Sequence, residues 1–330
     1  MTSQQTLEYF NNRTDSIVEL IREIVEIESP SHDVERNKTV VLWIENEARK
    51  IGRGGFVLSC FFRGIFDMKA NIVLMVEALR YFAETGTRPA RPITILLSCD
   101  EELGSHTGRE LVEREAALAE ACFVFEPSAN GSVKTGRKGT GMYIVHAHGI
   151  PAHAGLEPEK GANAILEISR QIERLHTLND LAVGTTVNVC TASGGTTTNV
   201  IPEHAVCSVD VRFSTMDEAA RIDEQIKNLQ PFDERVSTRI EGGINRPPME
   251  RTDAVVALYE KARDIAASFK YELGETQVGG ASDGNFVGAL GVPVLDGLGL
   301  KGDGAHTLHE HLLVSDITKR ATLVVRLLSE

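Results

Sequence analysis

The chain has 330 residues, 42% hydrophobic and 25% charged, which is the balance of a folded globular protein and enough length for two domains. Its net charge of -13 argues against a nucleic-acid partner, since phosphate binding needs a basic face, but leaves room for a local cationic pocket. No apolar run approaches the length of a membrane span, and Met1 to Gln5 lacks both a basic n-region and an apolar h-region. Neither a membrane partner nor signal-peptide secretion is therefore expected. The five cysteines (Cys60, Cys99, Cys122, Cys190, Cys207) show no paired metal spacing and read as reduced, mostly buried thiols of a cytoplasmic protein.

In chain order, Ile17, Leu20, Ile21, Ile24 and Ile27 form an apolar stripe that predicts a helix over 16–28, stopped by Ser29-Pro30-Ser31. A second helix is predicted over 38–50, ending at Gly52. The patch Phe56, Val57, Leu58, Cys60, Phe61 and Phe62 reads as a buried strand. Asp67 sits at the expected N-cap of a helix over 68–83. A buried strand over 93–98 runs into the acidic turn Asp100-Glu101-Glu102-Leu103-Gly104, and a helix over 107–119 follows. A further strand over 121–125 also ends in an acid, Glu126. Ligand sites of open α/β sheets lie at the carboxyl ends of strands, so two such endings suggest a cation site.

From about Gly139 the pattern changes to β-α-β-β-α-β, with strands over 142–148, 185–192, 205–213 and 235–240 and helices over 161–175 and 216–229. Cys207, Val209, Val211 and Phe213 alternate with Val206, Ser208, Asp210 and Arg212 in the third of these strands. This is the order of a small α+β sandwich. The earlier style then returns, with helices over 252–269 and 281–290, a strand over 292–298, a Gly302–Thr307 loop and a closing helix from about Ser315. The fold class expected is thus α/β: a mixed sheet flanked by helices, carrying an inserted α+β (ferredoxin-like) domain. The boundaries are 1–137 and 245–330 for the metal-binding domain and 138–244 for the insertion.

The acids Asp67, Glu101, Glu102 and Glu126 and the histidine His306 all fall at strand ends or helix starts of the inferred sheet. Carboxylate and imidazole ligands without cysteine suit a zinc ion that stays open to substrate, and a bridging carboxylate can hold two such ions. The segments Gly64-Ile65-Phe66-Asp67-Met68-Lys69, Ser98 to Gly104, Phe125-Glu126-Pro127, Gly149 to Gly155, Asn199-Val200-Ile201-Pro202, Asp210-Val211-Arg212 and Gly304-Ala305-His306 carry a resemblance. In this order they resemble the zinc-dependent exopeptidases and amidohydrolases that include carboxypeptidase G, acetylornithine deacetylase, succinyl-diaminopimelate desuccinylase and aminoacylase. The glutamate carboxypeptidase branch is the nearest in pattern.

The resemblance implies a metallo-hydrolase of amide bonds that releases a C-terminal acidic residue or deacylates an N-acyl amino acid through a zinc-bound water. Asp67 would bridge two zinc ions, Glu102 and His306 would complete one shell, and Glu126 would serve the other. Glu101 would be the general base. A glutamate at the position of Glu126 goes in this family with carboxypeptidase and deacylase activity, an aspartate with aminopeptidases. The insertion would form a homodimer and carry His153 into the partner's site as an oxyanion donor. Asn199 and Arg212 would hold the substrate carboxylate, with Lys138 and Arg246 as further members of that pocket. His146 and His148 share one strand face and mimic a metal pair, but they match nothing in the family and read as ordinary surface or interface residues; His309 and His311, near His306, read as bystanders.

One segment of the pattern is absent. Family members carry a Gly-His-x-Asp-Thr strand before the segment that holds Asp67, and its histidine binds the first zinc. Nothing between Gly52 and Phe66 contains a histidine, as though a segment near 55–63 were missing, and His32 is a poor substitute. The competing reading is therefore a non-catalytic or impaired relative that keeps the fold and pocket.

Overall fold

Helix Thr14–Glu26 forms because Ile17, Ile21 and Ile24 recur on one face, and all three are buried. They pack with Val40 and Ile44 of helix Val34–Ile51, with Ile72, Val73 and Leu74 of helix Lys69–Thr85, and with Ile317, Ala321 and Val324 of the closing helix Val314–Ser329. Each such aliphatic side chain contributes about 1.5–3 kcal/mol on burial, so this cluster anchors the helices around the strands. The computed structural model describes residues 1–29, 33–51, 57–58, 64–98 and 100–330. Expectations placed on Pro30, Ser31, His32, Phe56, Cys60, Phe61, Phe62 and Cys99, and on most of the segment 55–63, lie outside them.

The chain divides into two compact units, one of residues 1–136, 251–278 and 282–330, the other of residues 137–250 and 279–281. In the first, Val57–Leu58 pairs in parallel with Leu96–Leu97, and Cys122–Phe123 pairs in parallel with Val294–Leu295. Helices Asp253–Ala267 and Gly284–Ala289 pack against strand Val294–Leu295, as suits a parallel pair. The Cys122–Phe123 and Val294–Leu295 ladder is shorter than the expected strands over 121–125 and 292–298. Helix Ser3–Asn11 was not foreseen, because it has little apolar stripe; its signal is the capping box of Thr2 and Gln5.

The second unit holds a four-stranded antiparallel sheet of Gly139–His148, Thr186–Gly194, His204–Phe213 and Ser237–Arg246. Counted along the chain, their spatial order is fourth, first, third, second, with helices Ala164–His176 and Met216–Lys227 in the two crossovers. This is the ferredoxin-like α+β arrangement. Tyr143, Val145, Cys207, Val209, Val211 and Phe213 meet Ile168, Ile222 and Ile226 in its core. Burial pushes the Cys207 thiol up to about 11 and, in the first unit, the Cys122 thiol up to about 12, so both stay protonated at neutral pH. Cys190, expected among the buried thiols, is exposed.

Glu218 gives this unit an acid-sensitive contact. Hydrogen bonds from Arg221 and then Thr185 hold its carboxyl down to about 2. A carboxylate with a depressed native pKa adds stability above its unfolded pKa and loses it as pH falls toward the native value. The wild-type unit is therefore expected to lose stability between about pH 4.5 and pH 2. Glu218→Gln should flatten that part of a pH–denaturation series, and an unchanged slope would show that other carboxylates set it.

Candidate active site

Three chain segments meet at the carboxyl ends of the short strands in the first unit. The first is the turn before helix Lys69–Thr85. Asp67 was placed as that helix's N-cap, but the cap position is Met68, which makes no side-chain cap bond. The Asp67 carboxylate turns away instead, and its Oδ2 lies 3.1 Å from His306 Nε2. The backbone here is clamped by Glu310, whose Oε1 accepts from Phe66 N at 2.9 Å and Asp67 N at 2.8 Å. A Cβ at Gly64 would fall 1.7 Å from a Glu310 carboxylate oxygen, so glycine is what admits the clamp. Asn71, fully buried, ties the helix start to the loop before Gly302: its Nδ2 donates to Phe66 O and its Oδ1 accepts from Leu300 N.

The second segment is the acidic turn, where the three adjacent acids have separate surroundings. Asp100 is buried and structural: its carboxylate accepts from Thr107 N at 2.6 Å, Thr107 Oγ1 at 2.9 Å and Gly108 N at 3.1 Å. Those bonds offset its charge and close the loop over the 3-10 turn Glu101–Leu103. With Asp100 turned inward, Glu102 places Oε1 3.1 Å from His306 Nε2. Glu101 precedes it in the same turn.

The third segment is the hairpin formed by Gly302–Asp303 and His311–Leu312, which carries His306. A Cβ at Gly302 would sit 2.1 Å from His311 O, and Gly304 has φ +77°. His306 itself takes a left-handed backbone, φ 63°, sparsely populated by non-glycine residues and recurrent at ligand sites. Thr307 closes the turn by donating from N and Oγ1 to Gly304 O. Glu126 follows strand Cys122–Phe123, and its carbonyl accepts from Gly299 N at 2.9 Å, just before this hairpin.

The ligand atoms of Asp67, Glu102 and His306 all lie within 4.8 Å of one another. In a tetrahedral zinc shell with bonds of about 2.0–2.1 Å, neighbouring ligand atoms stand roughly 3.3–3.4 Å apart, close to the two 3.1 Å separations here. Imidazole with two carboxylates is also the donor chemistry of an open zinc site, so these residues fit the ion.

The second unit positions the other expected residues. Ala152–His153 pairs with Val200–Ile201, and Ala154 N donates to Asn199 O, which brings His153 and Asn199 onto neighbouring loops. His153 Nδ1 accepts from Gly155 N and Leu156 N, both at 3.2 Å. Neutral imidazole then carries its proton on Nε2, which leaves the exposed His153 an N–H donor. Arg212 and Arg246 both pair in register with Thr140, and Lys138 immediately precedes the same strand, so three basic residues gather at one end of the sheet. The Arg212 fork is bidentate to Asp210, at 2.9 and 2.8 Å. Glu310, Gly64 and Asp100 were missed from the sequence; an acid flanked by His309 and His311 in the His306 loop was the available signal for the first.

The family model for a peptidase dimerisation domain matches residues 135–230. Carboxypeptidase G2 from a Pseudomonas species is 32% identical over 282 residues, covering 81% of this chain and 66% of that protein. Succinyl-diaminopimelate desuccinylase from Paracidovorax citrulli is 30% identical over 271 residues, covering 77% of this chain and 68% of that protein. The chain thus spans about two thirds of the length of these two relatives. Among solved structures, the aminopeptidase PepT of Bacillus cereus superposes with a TM-score of 0.77 at 19% identity, covering 96% of this chain and 98% of that one. Human carnosine dipeptidase 1 gives 0.65 at 12% identity, covering 99% and 98%. At such identities the structures establish the shared fold: a zinc-exopeptidase-like α/β sheet with an inserted domain.

Proposed function

This chain belongs to the M20 family of peptidases and amidohydrolases, and from that premise we propose that it is a zinc-dependent amide hydrolase of the glutamate carboxypeptidase type. Its substrates on this reading are small peptides with a C-terminal acidic residue or N-acyl amino acids, met in the cytoplasm. The observation that supports it most is the meeting of Asp67, Glu102 and His306 from three distant segments on one point. The two carboxylates among them repel each other, a cost that a shared cation offsets.

Asp67, Glu102 and His306 would hold the ion, with Asp67 shared toward a second ion beside Glu126. When bound, zinc supplies Lewis-acid polarisation of the scissile carbonyl. Glu101, next to the ligand Glu102 but not needed as one, accepts the proton of the attacking water and returns it to the leaving amine. Two backbone donors fix the His153 tautomer, and on this reading its Nε2–H would serve as the donor to the developing oxyanion in the partner subunit's site. Asn199 and the basic group Lys138, Arg212 and Arg246 receive the substrate carboxylate, for which Arg212 must exchange Asp210 for substrate.

The dimerisation-domain match supports a homodimer through the second unit. Strand Thr186–Gly194 is an edge strand with an exposed outer half, and helix Ala164–His176 exposes Ile165 and Leu166. An exposed edge beside apolar side chains is a surface that pairing would cover.

The test is hydrolysis of a panel of N-acyl glutamates, other N-acyl amino acids and acidic dipeptides by the full chain, chelator-stripped and then reloaded with zinc. Turnover that vanishes on stripping and returns with zinc is expected. Mixing inactive His153→Ala and Glu101→Gln chains should restore part of it. Zinc-independent turnover would overturn the zinc dependence, no turnover of any panel member by the zinc-loaded chain would overturn the hydrolase reading, and no recovery on mixing would remove His153 from the partner's site.

A further inference from the structure

We propose that His148 and His204 form a second metal site, a two-imidazole chelate for a borderline divalent ion of the zinc, nickel or copper class. It lies wholly within the second unit and does not depend on the hydrolase reading. His148 ends strand Gly139–His148, His204 opens strand His204–Phe213, and the two are register partners across the antiparallel ladder. Their Nδ1 atoms stand 3.1 Å apart while the ring centroids are 4.7 Å apart, so the rings lean together at their Nδ1 edges. Two nitrogens bound to one ion at about 2.0–2.1 Å are separated by roughly 2.9 Å at a right angle and 3.4 Å at the tetrahedral angle. The observed separation falls between those limits.

Glu203 explains why the Nδ1 atoms serve as ligands. Its two carboxylate oxygens lie on the other edge of the rings, Oε1 3.8 Å from His148 Nε2 and Oε2 3.7 Å from His204 Nε2. At those distances the carboxylate makes no direct hydrogen bond, but its charge favours the proton on Nε2 of both rings, the tautomer that leaves each Nδ1 as the ligand atom. Both Nδ1 lone pairs are then turned toward each other at 3.1 Å, a repulsive contact that a shared cation relieves. Glu203 is held in place through its own carbonyl, which accepts from Gly149 N at 2.7 Å. The side chains of His148 and His204 are 56% and 72% exposed, so a hydrated ion can enter and keep water in its remaining positions. His146, two residues earlier, faces Glu241 at 3.6 Å and takes no part. Imidazole pairs suit zinc, nickel and copper, and the Irving–Williams order places copper tightest.

A shared proton could fill the same gap, and metal counting separates the two. The full chain carrying His306→Ala, which removes the active-site imidazole, is stripped with chelator and dialysed against zinc, with bound metal measured by elemental analysis. It is expected to hold a zinc ion that is lost when His148→Asn and His204→Asn are added. Glu203→Gln should weaken that binding about 10–100-fold. Equal zinc binding with and without the two histidines, or no zinc bound at millimolar concentration, would overturn the proposal. If the double change impairs folding by circular dichroism, His204→Asn alone, at the more exposed position, gives the same reading.

Discussion

Glu101→Gln is expected to keep the zinc content of the wild type and lose about 10²- to 10⁴-fold in kcat, the usual worth of a positioned general base. Glu102→Gln, one residue away, is expected to lose zinc itself. The contrast follows from the 3-10 turn Glu101–Leu103, in which Glu102 reaches His306 Nε2 at 3.1 Å. The amide of glutamine keeps the shape of the carboxylate but cannot accept a proton, so at position 101 it removes the chemistry and leaves the fold. At position 102 it removes a charge from an ion's shell. Metal analysis and kinetics on the two purified variants check both halves together. Wild-type turnover in Glu101→Gln would refute the base assignment, and unchanged zinc in Glu102→Gln would refute the ligand assignment.

Gly64→Ala is expected to destabilise the protein by about 2–4 kcal/mol and to weaken zinc binding about 10–100-fold, although residue 64 touches no ion. Its new methyl would enter the space of the Glu310 carboxylate, 1.7–2.1 Å from three of its atoms. Glu310 would then release Phe66 N and Asp67 N, and bonds to a charged acceptor are worth about 1.5–3 kcal/mol each. Asp67 would lose the backbone support that aims its carboxylate at His306. Glu310→Ala severs the same contacts from the other side. The double variant should therefore be little worse than either single one, since both act through one interaction. Additive losses in denaturant and zinc titrations would show that Gly64 and Glu310 act separately.

Much of the fold was legible because its elements obey simple periods. The stripe Ile17, Ile21, Ile24 read as one helix face, and the alternation Cys207 to Phe213 read as a half-buried strand, because burial imposes those spacings. The β-α-β-β-α-β order of the second unit was legible for the same reason. Within the site, Asp67, Glu102 and His306 were picked out by their positions at element ends and by the resemblance, and they stand together. The supports were less visible. Asp100 looked like one of three equivalent acids, and only the fold shows that it is buried and spent on Thr107 and Gly108. Gly64 and Glu310 are 246 positions apart in a chain whose local patterns say nothing of such contacts. Helix Ser3–Asn11 was missed because a capping box, not an apolar stripe, announced it. His148 was read as an ordinary surface residue and His204 was not singled out, because the two lie on different strands and register is a tertiary property.

The account stands most directly on zinc content per folded chain, measured by elemental analysis on chelator-stripped, zinc-reloaded wild type and His306→Ala protein side by side, with circular dichroism on both. The wild type should bind at least one more zinc ion per chain than His306→Ala while the two spectra agree. Equal zinc in both, with both folded, would contradict the site at Asp67, Glu102 and His306 and with it the proposed hydrolase.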